Sequence, residues 1–353
     1  MPHLVSAPRR ASSPIRPILI AVAVVGVAAL LWSVADVFMI AFGGILVAAT
    51  LRAAMDPVMR WTGMQERWAL VTVVIVLLLV GGLLSWQFGR QAAQQFAEMR
   101  VQLPEALEKF QAWLAESKPG QIALETLHKA GEEGGSVANA GVALGATLNG
   151  VGDVLLILVV GIYLAADPRL YRNGLLRLLP VSRRPQVGGA LDEAGHALRK
   201  WLLAQLLIMA AVGVMIAVGL ALLGVPLWLS LGLLSGLLEF VPVIGPLVAL
   251  VPGVLLAFAQ GPATALYVLG LYLLVQQIES NILTPLIQRW AAELAPVLAL
   301  LAIVAGGLLF GVLGVVFATP LAVVVVVLVR RLYVEDTLES GAAPGRLATR
   351  ESK

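Results

Sequence analysis

The chain has 353 residues, 59% of them apolar and 13% charged, with a mean hydropathy of +0.92 and a net charge of +3. A composition this apolar argues against a soluble domain. Lysines and arginines that sit at the ends of apolar runs argue against a nucleic-acid-binding face. There is no cysteine, and His3, His128 and His196 lie far apart outside the apolar runs, which leaves no disulfide, thiolate nucleophile or His-based metal centre to expect. What remains is an all-α, polytopic membrane protein, and no cofactor is expected.

Residues 1–17 form a basic tail with Pro2, Pro8, Pro14, Pro17, Arg9, Arg10 and Arg16, without helical periodicity. The apolar run that follows is too long for a signal-peptide core and lacks a small-residue cleavage site, so it is expected to be a retained anchor. Residues 18–34 and 37–55, separated by Ala35 and Asp36, read as a helical hairpin of two spans. Asp36 is expected as a solvated cap at its turn. Arg52, Arg60 and Arg67 then place the next connection in the cytosol by the positive-inside rule. A third span over 68–88 completes an N-terminal membrane unit, 18–88.

From 89 to 147 glutamines and glutamates replace the apolar runs, marking one extramembrane helical insertion. Leu103, Leu107, Phe110 and Leu114 recur at helical spacing, giving an amphipathic helix whose apolar stripe must cover a neighbouring subunit or the bilayer surface. Residues 131–145 read as a return loop. The chain spans again over 148–166, runs into Asp167-Pro168, and enters its densest basic region with Arg169, Arg172, Arg177, Arg183, Arg184, Arg199 and Lys200. The same rule puts this region in the cytosol, before a span over 201–223.

Two interrupted apolar blocks follow inside a membrane transport unit expected over 148–331. The first, 227–259, is broken at Glu239, Pro242, Gly245 and Pro246. The second, 296–330, is broken by Gly306, Gly307, Gly311, Gly314 and Pro320. Non-helical backbone at membrane depth survives only where protein covers it or it lines a cavity. Two such segments of opposite orientation point to a transport site near the bilayer midplane. Read as hairpins entering from opposite sides, they leave both termini and the tail 332–353 in the cytosol, although two tilted full crossings fit the lengths as well. With the hairpins, the apolar segments number about eight.

Glu239 stands between Leu238 and Phe240, where a carboxylate is costly unless a proton, a cation or hydrogen-bond donors compensate it. It is either a coupling group or a polar cap for the break. Pro242, Gly245 and Pro246 are structural residues of the break, with Pro246 suited to open a new half-helix whose positive end favours an anionic or polar group. Between the blocks, Gln276, Gln277, Glu279, Asn281, Thr284 and Pro285 end an otherwise apolar span. At 100° per residue Gln277, Asn281 and Thr284 share a face, fit either to bind a polar solute or to bond neighbouring helices. The glycines of the second block serve close packing, a break, or both. No Walker loop, nucleotide-binding glycine fingerprint, Gly-x-Ser-x-Gly or His-Glu-x-x-His occurs, so an ATP-driven pump or intramembrane hydrolase is disfavoured and no enzyme is expected.

Several pieces in order resemble the autoinducer-2 exporter family of bacterial membrane proteins. They are residues 163–167, 223–226, 239–246 (Glu-Phe-Val-Pro-Val-Ile-Gly-Pro), 276–285 (Gln-Gln-Ile-Glu-Ser-Asn-Ile-Leu-Thr-Pro), Pro296, and 306–311 followed by Gly314, Thr319 and Pro320. The resemblance implies an inner-membrane permease or exporter, with members linked to quorum-signal export and others to sodium/proton antiport. It also implies a homo-oligomer, with a pentamer as the expected assembly. Residues 293–295 read Glu-Leu-Ala, where many members carry a histidine beside the proline.

The reading that follows is a bacterial secondary transporter that exports a small polar solute of the autoinducer-2 type by alternating access. A monovalent cation (Na⁺ or Li⁺)/proton antiporter is the nearest alternative. A non-transporting membrane scaffold is the alternative of another class.

Overall fold

The computed structural model describes residues 35–116, 121, 147–288 and 295–339, and every regular element among them is helical. The expected first span, most of the return from the insertion, Glu293 and the two tails lie outside the described residues. Helix α1 is Ala35–Thr62, α2 Glu66–Ala115, α3 Thr147–Ala166, α4 Pro168–Arg177 and α5 Arg184–Leu222. They are followed by α6 Trp228–Leu238, α7 Ile244–Phe258, α8 Pro262–Ile278, α9 Thr284–Gln288 and α10 Pro296–Val329. Among the described residues, five helices are long and apolar enough to cross a membrane when α10 is taken at its full length, or six if the bent pair of α3 and α4 counts as one span; α6 and α7 are shorter.

The third span and the amphipathic stripe belong to one helix. At 1.5 Å per residue the 50 residues of α2 reach about 75 Å, more than twice a hydrocarbon core of about 30 Å. Its distal half folds no separate unit and instead covers the first broken block. Ala106 is fully buried among residues of α5, α7 and α8, and Phe110 and Trp113 set their rings 5.2 and 5.4 Å from Phe258 at the end of α7. Gln95 Oε1 accepts the Ser230 N–H at 3.1 Å, satisfying one of the donors that the first turn of α6 leaves open. The stripe therefore packs within the chain, on the base of a hairpin. Replacing Phe258 with alanine removes both edge-to-face pairs and is expected to weaken this docking by about 1–3 kcal/mol, seen as faster hydrogen exchange over residues 99–115 in the folded protein.

Small residues set the closest helix pairs. A Cβ on Gly44 would lie 2.5 Å from Val160 Cγ1, and one on Gly161 would lie 2.5 Å from Val47, so α1 and α3 touch nearly backbone to backbone. Gly213 of α5 meets Gly232 and Gly236 of α6 in the same way. Helix α5 is the long shared element. Leu198, Trp201 and Leu202 belong to a cluster with Met39, Phe42, Phe317 and Val323, whereas Ile208, Val212, Ile216 and Leu220 belong to a second cluster with the first hairpin and α8.

Both broken blocks are hairpins. At 11 and 15 residues, α6 and α7 reach about 17 and 23 Å, so neither arm crosses a bilayer. In α10 the backbone departs from helix at Gly311 (φ 61°, ψ −141°). A Cβ on Gly314 would fall 2.0 Å from Gly306 O, although residues eight apart on a straight helix stand about 12 Å apart. The chain thus reverses at Gly311, and Gly306, Gly307 and Gly314 are the surfaces on which its two arms meet. Arg330 and Arg331, just past the second arm, both pair with Glu193 near the start of α5. The base of this hairpin lies at the arginine-rich end of the bundle, opposite the end where α2 covers the first.

Candidate functional site

The tips of the two hairpins approach each other in the middle of the bundle. Phe240 of the first tip and Phe310, Leu313 and Val316 of the second pack against the same buried cluster, and the Phe240 ring stands 5.9 Å from that of Trp201. Between the tips lies an apolar cavity of about 430 Å³, bounded by Met209, Leu237, Val241, Val248, Val312 and Val315 among others.

The first tip is a tight, strained turn. Val243 has φ 71° and ψ −52°, and Ile244 N–H donates to Pro242 O at 2.8 Å across it, the geometry of the rare γ-turn with positive φ. A β-branched residue there stores strain of about 1–3 kcal/mol, which the surrounding packing must hold. Gly245 N–H donates to Val241 O at 2.9 Å. With these two donors engaged inside the turn, the start of α7 offers no cradle for an anion. Pro246 is the third residue of α7, still in the first turn, where its missing N–H leaves no bond unmade. The Glu239 carbonyl is taken by Gln205 Nε2 of α5 at 2.7 Å. Gln205 is a buried polar residue that sequence reasoning passed over, and its signal was a lone amide inside the apolar run 201–223.

The Glu239 side chain points away from the tip contact, toward α8. It is 4% exposed, and its carboxylate accepts no hydrogen bond from any described residue. It borders a small, partly open cavity of about 10 Å³ together with Ser235, Tyr272, Gln276 and Glu279, the order of room needed for one water-sized species. Ser235 Oγ and Tyr272 OH lie 3.1 Å apart on its wall. Both are functional candidates that sequence patterns gave no reason to choose, since a serine and a tyrosine in apolar helices look like packing.

The polar residues at the end of α8 divide into two sets. Residues Glu279–Leu283 form a π-turn in which Thr284 N–H donates to Glu279 O, five residues back. The extra residue rotates everything beyond it, so Gln277, Asn281 and Thr284 do not share one face as regular 100° steps would have it. Gln276 Nε2 and Thr284 Oγ1 both donate to the Glu279 carboxylate, the latter at 3.1 Å, which fixes Glu279 at the cavity beside Glu239. Gln277 and Asn281 pair with each other at 2.8 Å on the exposed side, and Pro285 is exposed beyond them.

No described residue of the second hairpin lines this cavity. Gly306, Gly307, Gly311 and Gly314 build its reversal, and Pro320 is buried further along the second arm of α10, beside Thr319. The sequence-derived residues are therefore brought together only in part: Glu239, Pro246, Gln276 and Glu279 line one cavity, while the glycines lie across the apolar space between the tips. Among the described residues no group of three or more His, Cys, Asp or Glu could hold a metal ion.

The chain is 29% identical over 307 residues to the "Putative transport protein MT0215" of Mycobacterium tuberculosis, with 83% of each chain covered. It is 31% identical over 166 residues to YrrI of Bacillus subtilis, where the match spans about half of that relative (47% of each chain), and 24% identical over 287 residues to YhhT of Escherichia coli, with 78% of this chain and 80% of the relative covered. Both carry the same transport-protein designation. The model of the AI-2E family transporter matches residues 18–333. A multi-span helical bundle with two broken hairpins, matched over nearly its whole length, belongs to the AI-2E transporter family.

Proposed function

We propose that this membrane transporter is an ion-coupled secondary transporter in which Glu239 and Glu279 exchange protons for a monovalent cation such as Na⁺ or Li⁺. The observation that carries the reading is the buried, unpartnered Glu239 carboxylate at a cavity it shares with Glu279. Two carboxylates lining so small a cavity are compensated by a proton or a cation lodged between them. The cavity has room for a dehydrated ion and none for a polyhydroxylated solute. Access alternates as the facing hairpin tips separate toward one side or the other, in keeping with broken helices at a transport site.

The second reading is export of a small polar solute of the autoinducer-2 type, favoured by the exposed Gln277–Asn281 pair, with the carboxylates coupling that export to protons. In both readings the protein sits in a bacterial inner membrane with its arginine-rich face and termini in the cytosol, and works as a homo-oligomer. The test is purified protein in liposomes loaded with a pH-sensitive dye. Imposed Na⁺ or Li⁺ gradients are expected to drive proton movement. A dye trace that stays flat with every cation, together with uptake of labelled polar solutes, would replace the first reading by the second. Silence in both assays would leave the scaffold reading.

A further inference from the structure

At the arginine-rich end of the bundle, away from the hairpin tips, a third cavity of about 320 Å³ opens between the α1–α2 turn and the elbow joining α3 to α4. Its walls are Gln65, Glu66, Arg67, Asp167, Pro168 and Arg169, with Ala166 behind them. Both acids are already engaged, one by a cation and one as a helix cap. Glu66 pairs with Arg52 at 3.2 Å, and Asp167 Oδ1 accepts the Leu170 N–H at 3.1 Å as the cap of α4. The arginines are not compensated, for neither the Arg67 nor the Arg169 guanidinium has a hydrogen bond or ion pair with any described residue. The cavity thus presents two guanidiniums, held by two separate elements, against the single carboxylate of Asp167 that no cation pairs.

Its surroundings place it in the headgroup layer. Asp167-Pro168 turns the chain by 87°, so α3 runs across the membrane and α4 along its surface. Leu170 and Leu175 of α4, and Leu178 just past it, are exposed among its arginines, the pattern of a helix lying in the interface. Trp68 and Tyr163, one residue past Arg67 and four before Asp167, are 62% and 65% exposed, as aromatic side chains at the water–hydrocarbon boundary are.

We infer that this cavity is a binding site for the phosphate of an anionic phospholipid, gripped between Arg67 and Arg169, with the acyl chains descending beside Trp68 and Tyr163. Guanidinium forks suit a phosphodiester, and Gln65 supplies a further amide. Position separates this ligand from a free phosphate, because a soluble anion would have no use for the aromatic and leucine surface around the cavity.

The experiment uses the full chain in detergent, titrated with short-chain phosphatidylglycerol or phosphatidylcholine and read by native mass spectrometry and tryptophan fluorescence. The wild type is expected to bind phosphatidylglycerol more tightly, with inorganic phosphate failing to displace it. Arg67→Gln with Arg169→Gln is expected to weaken binding by about tenfold or more, whereas Arg177→Gln, on α4 but outside the cavity, changes it less than about twofold. Should the double glutamine variant fail to fold, Arg67→Lys with Arg169→Lys serves instead, retaining charge and losing affinity several-fold through the lost fork. Equal affinity for both lipids, equal loss in Arg177→Gln, or displacement by inorganic phosphate would each overturn the proposal.

Discussion

Gly245→Ala is expected to prevent the first hairpin from forming. The added methyl would sit 1.9 Å from Leu238 O and 2.5 Å from Leu238 C, which are backbone atoms that cannot swing away. The tip would have to open, breaking the Gly245 to Val241 bond and the positive-φ turn at Val243 that depends on it. Overpacking of this kind costs about 1–3 kcal/mol or more in a tightly packed core, and here it falls on a turn already strained. Gly314→Ala should act alike in the second hairpin, with its methyl 2.0 Å from Gly306 O. Gly270→Ala supplies the control, since nothing lies within 4 Å of its Cβ position and the site is in the middle of α8. Thermal melting in detergent is the measurement. A Gly245→Ala variant that melts with the wild type would show that the tip is not closed as described.

Glu239→Gln is expected to leave the fold intact and end transport coupling. The amide fills the same volume, and no described residue bonds the carboxylate it replaces, so the melting midpoint should move by less than about 3 °C. Cation-driven proton flux in liposomes should fall to the level of protein-free vesicles, because an amide neither holds a proton for release nor neutralises a cation. Glu279→Gln should keep a residual flux, since Glu279 is already engaged by Gln276 and Thr284 and Glu239 still faces the cavity. Undiminished flux in Glu239→Gln would remove Glu239 from the coupling role and leave it as a polar element of the break.

Much of the fold was legible in the chain. Apolar runs of span length, and Gly and Pro placed where no helix tolerates them, located both hairpins to within a few residues. Periodicity also found the stripe from Leu103 to Leu114, but it could not say what the stripe covers, because Phe258 lies more than a hundred residues away and nothing local joins them. The site was legible in part. Glu239 stood out because a carboxylate between Leu238 and Phe240 is costly in hydrocarbon, whether it couples transport or caps the break. Tyr272, Ser235 and Gln205 were invisible, since each becomes significant only through a partner on another helix. The division of Gln276 to Thr284 into two sets escaped because a π-turn adds one residue that no propensity marks.

The placement of α5 across both apolar clusters also bears on biogenesis. Chains emerge from the ribosome amino end first, and arms of 11 and 15 residues cannot be stably inserted as ordinary spans. When α6 and α7 appear, α5 and the far half of α2 have already been made, offering Gly213 and Phe110 as ready docking points. The second hairpin comes last and finds α1 and α5 in place. Each broken segment is thus born beside a finished template, so its polar backbone need not wait exposed to lipid while its partners are synthesised.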